Sequence, residues 1–237
     1  MIPFRILIDK MLSKKVIVAL DSNNLNKTLN LVNKLKDDAY AFKIGYQFFF
    51  NFGILGYKKI YSICPRIFLD LKLHDIPNTV RKGLEALTKM KPLFTTIHIS
   101  GGDEMMKASK IGKKNIKLLG VSILTSLDNK QTKIYYNEKN LSKLVKNFAK
   151  AAKKNGLDGV VCSPKELKYI RKEVGKNFII VTPGIRIDNK IKSDDQKRFE
   201  TPKNAVSLGA NFLVIGRPIT ASKNPLKVLK TINKTLS

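Results

Sequence analysis

Eight short apolar runs, rich in Val, Ile and Phe, recur along the chain and alternate with longer stretches of helical period. They are Val16–Leu20, Ala41–Ile44, Ile67–Leu71, Thr95–Ile99, Lys117–Leu124, Gly159–Cys162, Ile179–Thr182 and Phe212–Ile215. Such spacing is what repeated βα units produce, because a parallel strand covered on both faces needs a helix to carry the chain back. Leu141, Leu144, Val145, Phe148, Ala151 and Ala152 draw one apolar stripe along a helix, and Leu25, Leu29, Val32 and Leu35 draw a weaker one. The 237 residues are close to the ~250 of one closed eightfold barrel. The expectation is an α/β chain, a single (β/α)8 TIM barrel over residues 1–237, with no linker or charge block to divide it.

Residues 1–10 precede the first strand without an element of their own and read as an extension, unless Met11 is the true start. The polar stretch Asp188–Pro202, acidic at Asp194 and Asp195, is the one long connection; a loop there is placed to close over a ligand, although an ordinary surface loop is the commoner meaning.

Composition narrows the function classes. Cys64 and Cys162 form neither a CxxC motif nor a Cys/His cluster, so a reduced, cytoplasmic protein is expected, without a zinc site or disulfide framework. The chain has no uninterrupted apolar run of about 18 residues and no signal-peptide pattern at Met1 to Lys15, so no membrane partner is expected. A net charge of +27 invites a nucleic-acid reading, yet the basic residues come singly or in pairs, such as Lys58-Lys59 and Lys113-Lys114, with no interleaved aromatic platform. Lysine-rich solvated helix faces account for the charge, and no nucleic-acid partner is expected.

In a β/α barrel the chemistry sits where the C-terminal strand ends meet. Here those ends carry Asp21, Lys43, Asp70, Lys72, His98, Thr125 with Ser126, Ser163, Arg186, and Gly216 with Arg217. The third strand is the most informative, running Phe68-Leu69-Asp70-Leu71-Lys72-Leu73-His74-Asp75-Ile76-Pro77-Asn78-Thr79. Residues i and i+2 share a strand face, so Asp70 and Lys72 are predicted to point into the barrel mouth while Leu69 and Leu71 pack against helices. A lysine held beside carboxylates stays protonated, and in a dry pocket it is a positioned acid; alone, an Asp-x-Lys pair would more often be a structural ion pair. His74 and His98, without ligand-like spacing, are expected to be structural. The segments Pro183-Gly184-Ile185-Arg186 and Gly216-Arg217-Pro218-Ile219-Thr220 follow strands seven and eight, the two loops that such barrels often use for phosphate. Glycine lets backbone N–H groups approach an anion, a following helix N-terminus adds its dipole and arginine supplies a forked donor.

From Val16 to about Ile232 these residues resemble the orotidine 5'-phosphate decarboxylase family in its bacterial form. The similarity is carried by Val18 through Asp21, Phe68 through Thr79, His98 through Gly102, Gly156 through Ser163, Val181 through Arg186 and Val214 through Pro218. Asp-x-Lys-x-x-Asp is shared with sugar-phosphate relatives, whereas the His74–Thr79 extension is specific to the decarboxylase. The resemblance implies cofactor-free, metal-free decarboxylation of orotidine 5'-monophosphate to uridine 5'-monophosphate and CO2, the last step of de novo pyrimidine nucleotide synthesis. It implies a charged tetrad of Lys43, Asp70, Lys72 and Asp75, with Asp75 reaching the neighbouring subunit's site in a homodimer. Lys72 would protonate C6, and Asp70 would lie against the departing carboxylate. Asp21, Lys43, Asp75 and Thr79 would hold the ribose, with Ile76 beside them in the substrate site. Thr125 or Ser126, with Pro183, would meet the base, and Arg186, Gln196, Gly216 and Arg217 would receive the phosphate. The sugar-phosphate relatives use Mg²⁺ held partly by an acidic residue on the second strand, where this chain has Lys43.

Overall fold

The structure is a computed structural model and describes residues 14–186 and 200–236. Among these residues eight parallel strands close into a barrel in chain order: β1 (Val16–Ala19), β2 (Ala41–Ile44), β3 (Ile67–Leu73), β4 (Phe94–His98), β5 (Lys117–Val121), β6 (Gly159–Val161), β7 (Ile179–Thr182) and β8 (Phe212–Ile215), with β8 pairing back to β1. The helices are α1 (Leu25–Leu35), α2 (Tyr46–Ile63), α3 (Pro77–Leu87), α4 (Gly102–Gly112), α5 (Asn129–Tyr136), α6 (Leu141–Lys154), α7 (Leu167–Val174), α8 (Pro202–Ser207), α9 (Arg217–Thr220) and α10 (Pro225–Lys234).

Strand alternation sorts the core into two shells. Ile17, Ala19, Ala41, Phe68, Phe94, Leu119, Val181 and Val214 fill the barrel interior. Their neighbours Val16, Val18, Phe42, Ile67, Leu69 and Leu213 face outward and pack under the helices. The stripe expected on α6 is present, with Leu144, Val145, Ala149 and Ala152 buried and Leu141, Phe148 and Ala151 packed against the core. On α1, Val32 and Leu35 are buried while Leu25 and Leu29 are half-buried, matching the weaker stripe. At the end of the barrel away from the mouth Tyr40 stacks on Phe212 with ring centroids 4.2 Å apart, and both pack against the interior shell. Gly159 is required by the closeness of β6 to β7, since a Cβ there would lie 2.3 Å from the Ile179 carbonyl oxygen.

Three of the expected strands have the observed bounds and the others shift at their ends. β5 stops at Val121 rather than Leu124: the Ser122 N–H makes its last rung on the Val161 carbonyl, which the Ser122 hydroxyl also meets. Ile99 leaves β4 to begin a single 3-10 turn. β3 runs two residues further than expected, to Leu73, because it carries a bulge. Residues 1–10, Met11 and most of the Asp188–Pro202 connection, including Asp194, Asp195 and Gln196, lie outside the described residues. Among the described residues no helix is long and apolar enough to cross a membrane.

Candidate active site

Three adjacent strands bring their charges together at the barrel mouth. Lys43, on β2, points its Nζ between Asp21, which follows β1, and Asp70 on β3, at 3.3 and 3.7 Å. Lys72 completes the chain with its Nζ 2.8 Å from the same Asp70 oxygen, Oδ2. Gly45 leaves room for this arrangement, as a Cβ there would come within 2.9 Å of the Lys43 nitrogen.

Asp70 and Lys72 share the pocket as expected, but a regular pleat is not the cause. The β3–β4 register pairs Leu69 with Thr95 and then Leu73 with Ile97, so β3 spends four residues where β4 spends two. Lys72 lies within the excess, with φ +47. A left-handed conformation costs a non-glycine residue roughly 1–2 kcal/mol and persists only where the surroundings impose it. Thr96, fully buried on β4, is one of those surroundings: its hydroxyl accepts from the Lys72 backbone N–H at 2.9 Å and donates to Asp70 Oδ1 at 2.9 Å. One side chain therefore orients both members of the pair. Thr96 is not among the strand-end residues, and its one mark in the sequence is to be a threonine within the apolar run of strand four.

Burial raises the pKa of the Asp70 carboxyl, but the charges of Lys43 and Lys72 and the hydrogen bonds from Lys72 and Thr96 outweigh it, leaving Asp70 below the usual carboxylate range. Asp70 is thus a fixed negative charge at neutral pH. His98 ends β4 with its ring centroid 5.2 Å from that of His74. Burial holds the His98 pKa below its ordinary value, aided by His74 and Lys72 and opposed by Asp70, so its imidazole is neutral at pH 7.

The charged cluster forms one wall of a cavity of about 900 Å³. Thr125, Pro183, Arg186, Gly216 and Arg217 line the same cavity, as do Asp21, Lys43, Asp70 and Lys72. The apolar wall, including Ile123, Val161 and Val214, was not singled out from the sequence because apolar strand residues carry no distinguishing signal. The β7 loop is held by a short bridge in which Arg186 N–H donates to the Glu200 carbonyl at 3.0 Å and Glu200 N–H to the Gly184 carbonyl at 3.1 Å. Arg186 is buried, whereas Arg217, opening the single turn α9, is exposed. That turn is too short for the helix dipole expected after strand eight to matter, so backbone N–H groups and arginines are the available donors.

Asp75, Ile76 and Thr79 do not line this cavity in a single chain. They sit at the start of α3, all exposed, with the Asp75 carboxylate accepting from the Ile76 N–H at 2.6 Å. Ser126 is exposed and outside the lining, and Gln196 falls outside the described residues.

A closed parallel barrel whose charged side chains converge at the C-terminal mouth has the architecture of a barrel enzyme. The chain belongs to the orotidine 5'-phosphate decarboxylase / HUMPS family, whose model matches residues 14–232. It is 43% identical over 231 residues to orotidine 5'-phosphate decarboxylase of Pseudoalteromonas translucida, covering 94% of this chain and 97% of that protein. It is 44% identical over 224 residues to the protein of the same name from a Wolbachia of Culex pipiens, covering 94% and 98%. Among solved structures, orotidine 5'-phosphate decarboxylase of Lactobacillus acidophilus superposes with a TM-score of 0.83 at 38% identity, covering 94% of this chain and 99% of the other.

Proposed function

We propose that the chain decarboxylates orotidine 5'-monophosphate to uridine 5'-monophosphate and CO2 in the cytoplasm, as the last step of de novo pyrimidine nucleotide synthesis, with no cofactor. The observation that carries this reading is the Lys43–Asp70–Lys72 ion chain in a nucleotide-sized cavity that Arg186 and Arg217 also line. The bond from C6 to the carboxylate breaks, its electron pair stays on C6, and CO2 leaves. The Lys72 ammonium gives its proton to C6, forming the product C–H bond, and the resulting amine is reprotonated from solvent. A vinylic carbanion has no electron sink in the ring, so its stabilisation must come from fixed charge. Asp70, ionised and held by Thr96, faces the substrate carboxylate, a repulsion relieved when CO2 departs.

Asp21 and Lys43 hold the ribose. Thr125, which lines the cavity, and Pro183 meet the base, and this favours Thr125 over the exposed Ser126. Arg186, Arg217, the Gly216 backbone and Gln196 receive the phosphate. The Mg²⁺-dependent sugar-phosphate chemistry of related barrels fits poorly, since the Lys43 ammonium occupies the space between Asp21 and Asp70 where a cation would need to bind. Incubation of the purified protein with orotidine 5'-monophosphate in excess EDTA should show full loss of the orotate absorbance. Activity that disappears with chelator would overturn the reading.

Asp75, Ile76 and Thr79 enter the scheme through a homodimer in which Asp75 completes the site of the neighbouring copy. Their exposure supports this, as do Ile76 at 68% and Phe50 at 76% exposure, large apolar side chains left to solvent in one chain. Mixing inactive Lys72→Ala and Asp75→Ala proteins under subunit exchange should restore about one quarter of wild-type activity, because random mixing makes half the dimers mixed and each of those has one intact site. A mixture as inactive as its parents rules out the shared site.

A further inference from the structure

We propose that Tyr46 is a positioning residue for Lys72, an inference that rests on Lys72 being the proton donor. The bulge in β3 removes the Leu71–Lys72 peptide from the strand ladder, so its two polar ends need other partners. The N–H end donates to the Thr96 hydroxyl at 2.9 Å, and the carbonyl end accepts from the Tyr46 hydroxyl at 3.0 Å. One peptide plane is thus gripped from both sides, from β4 and from the first residue of α2. That plane leads directly into the left-handed backbone of Lys72.

The same tyrosine acts on the other end of the lysine. Its ring centroid lies 5.6 Å from the Lys72 ammonium, within cation–π range, while Asp70 holds the ammonium by a hydrogen bond. Phe50, one helical turn along α2, stacks on the Tyr46 ring with centroids 5.4 Å apart and planes within 2°. Burial, and secondarily the charge of Asp70, raise the Tyr46 pKa, so the phenol remains a donor at neutral pH. Tyr46 does not line the cavity and acts on substrate only through Lys72. Nothing in the sequence marks it, since the contact arises from a bulge on one strand and a helix start on another.

The test uses the full-length protein with Tyr46→Phe, which keeps the ring, and Tyr46→Leu, which loses ring and hydroxyl. Expected values of kcat are about threefold and about tenfold below wild type, with KM and the affinity for uridine 5'-monophosphate within about twofold, because only the lysine's placement changes. In protein carrying ¹³C-labelled lysine, the Lys72 Hε resonance, assigned by its absence from Lys72→Ala, should keep its ring-current shift in Tyr46→Phe and lose it in Tyr46→Leu. Wild-type kcat in both variants overturns the proposal, as does a loss of kcat matched by an equal loss of nucleotide affinity. If Tyr46→Leu does not fold, wild-type kcat in Tyr46→Phe is sufficient to reject the carbonyl tie. A Lys72→Ala protein that still turns over would overturn the donor assignment instead, while the resonance shift would still report the Tyr46 contact.

Discussion

Replacing Lys72 with alanine should reduce kcat for orotidine 5'-monophosphate by about 10⁴-fold or more while the barrel stays folded. Two effects are lost together: general-acid delivery of a proton, worth roughly 10²–10⁴-fold, and a preorganised charge beside the developing carbanion, worth roughly 10²–10³-fold. The fold should survive because Asp70 keeps Lys43 at 3.7 Å and the Thr96 hydroxyl at 2.9 Å, so its charge is not left unpaired. Affinity for uridine 5'-monophosphate should change far less than kcat, since in the proposed scheme the phosphate and ribose are held by residues other than Lys72. Steady-state turnover, product binding and thermal unfolding of one preparation check all three points. A variant that retains more than a tenth of wild-type kcat would show that another group supplies the proton.

Orotidine without its phosphate should turn over at least about 10³-fold more slowly than the nucleotide, even at saturation, if three charge-assisted hydrogen bonds of roughly 1.5–3 kcal/mol each are used to orient the reacting end. In the proposed scheme the donors lie on the β7 and β8 loops and not on β3, so they would assist the chemistry by fixing the substrate against the charged wall. Arg217→Ala should lower kcat/KM by about 10–100-fold, the worth of one such bond. Equal saturated turnover of nucleoside and nucleotide would show that the phosphate is a handle for binding alone. In that event the β7 and β8 loops would contribute to KM and not to kcat.

The Gly-Arg of strand eight and the Asp-x-Lys of strand three illustrate what a one-dimensional reading can reach. Both close apolar runs that are visible in the chain, and a barrel places every such strand end at one mouth, so Asp21, Lys43, Asp70, Lys72, Arg186 and Arg217 can be grouped from the sequence alone. Thr96 and Tyr46 could not be assigned roles in this way. Each matters because of what lies across from it, and the choice of Thr125 over Ser126 at the cavity wall likewise depended on where β5 leaves the ladder.

By itself the sequence determined the eightfold alternation and the set of charges gathered at the mouth, because apolar period and strand order are properties of the chain. Only the tertiary structure decided how Lys72 meets Asp70. That contact depends on a slipped register between β3 and β4 and on a backbone turn that lysine does not favour, and such a turn persists only when neighbours distant in the chain hold both ends of one peptide.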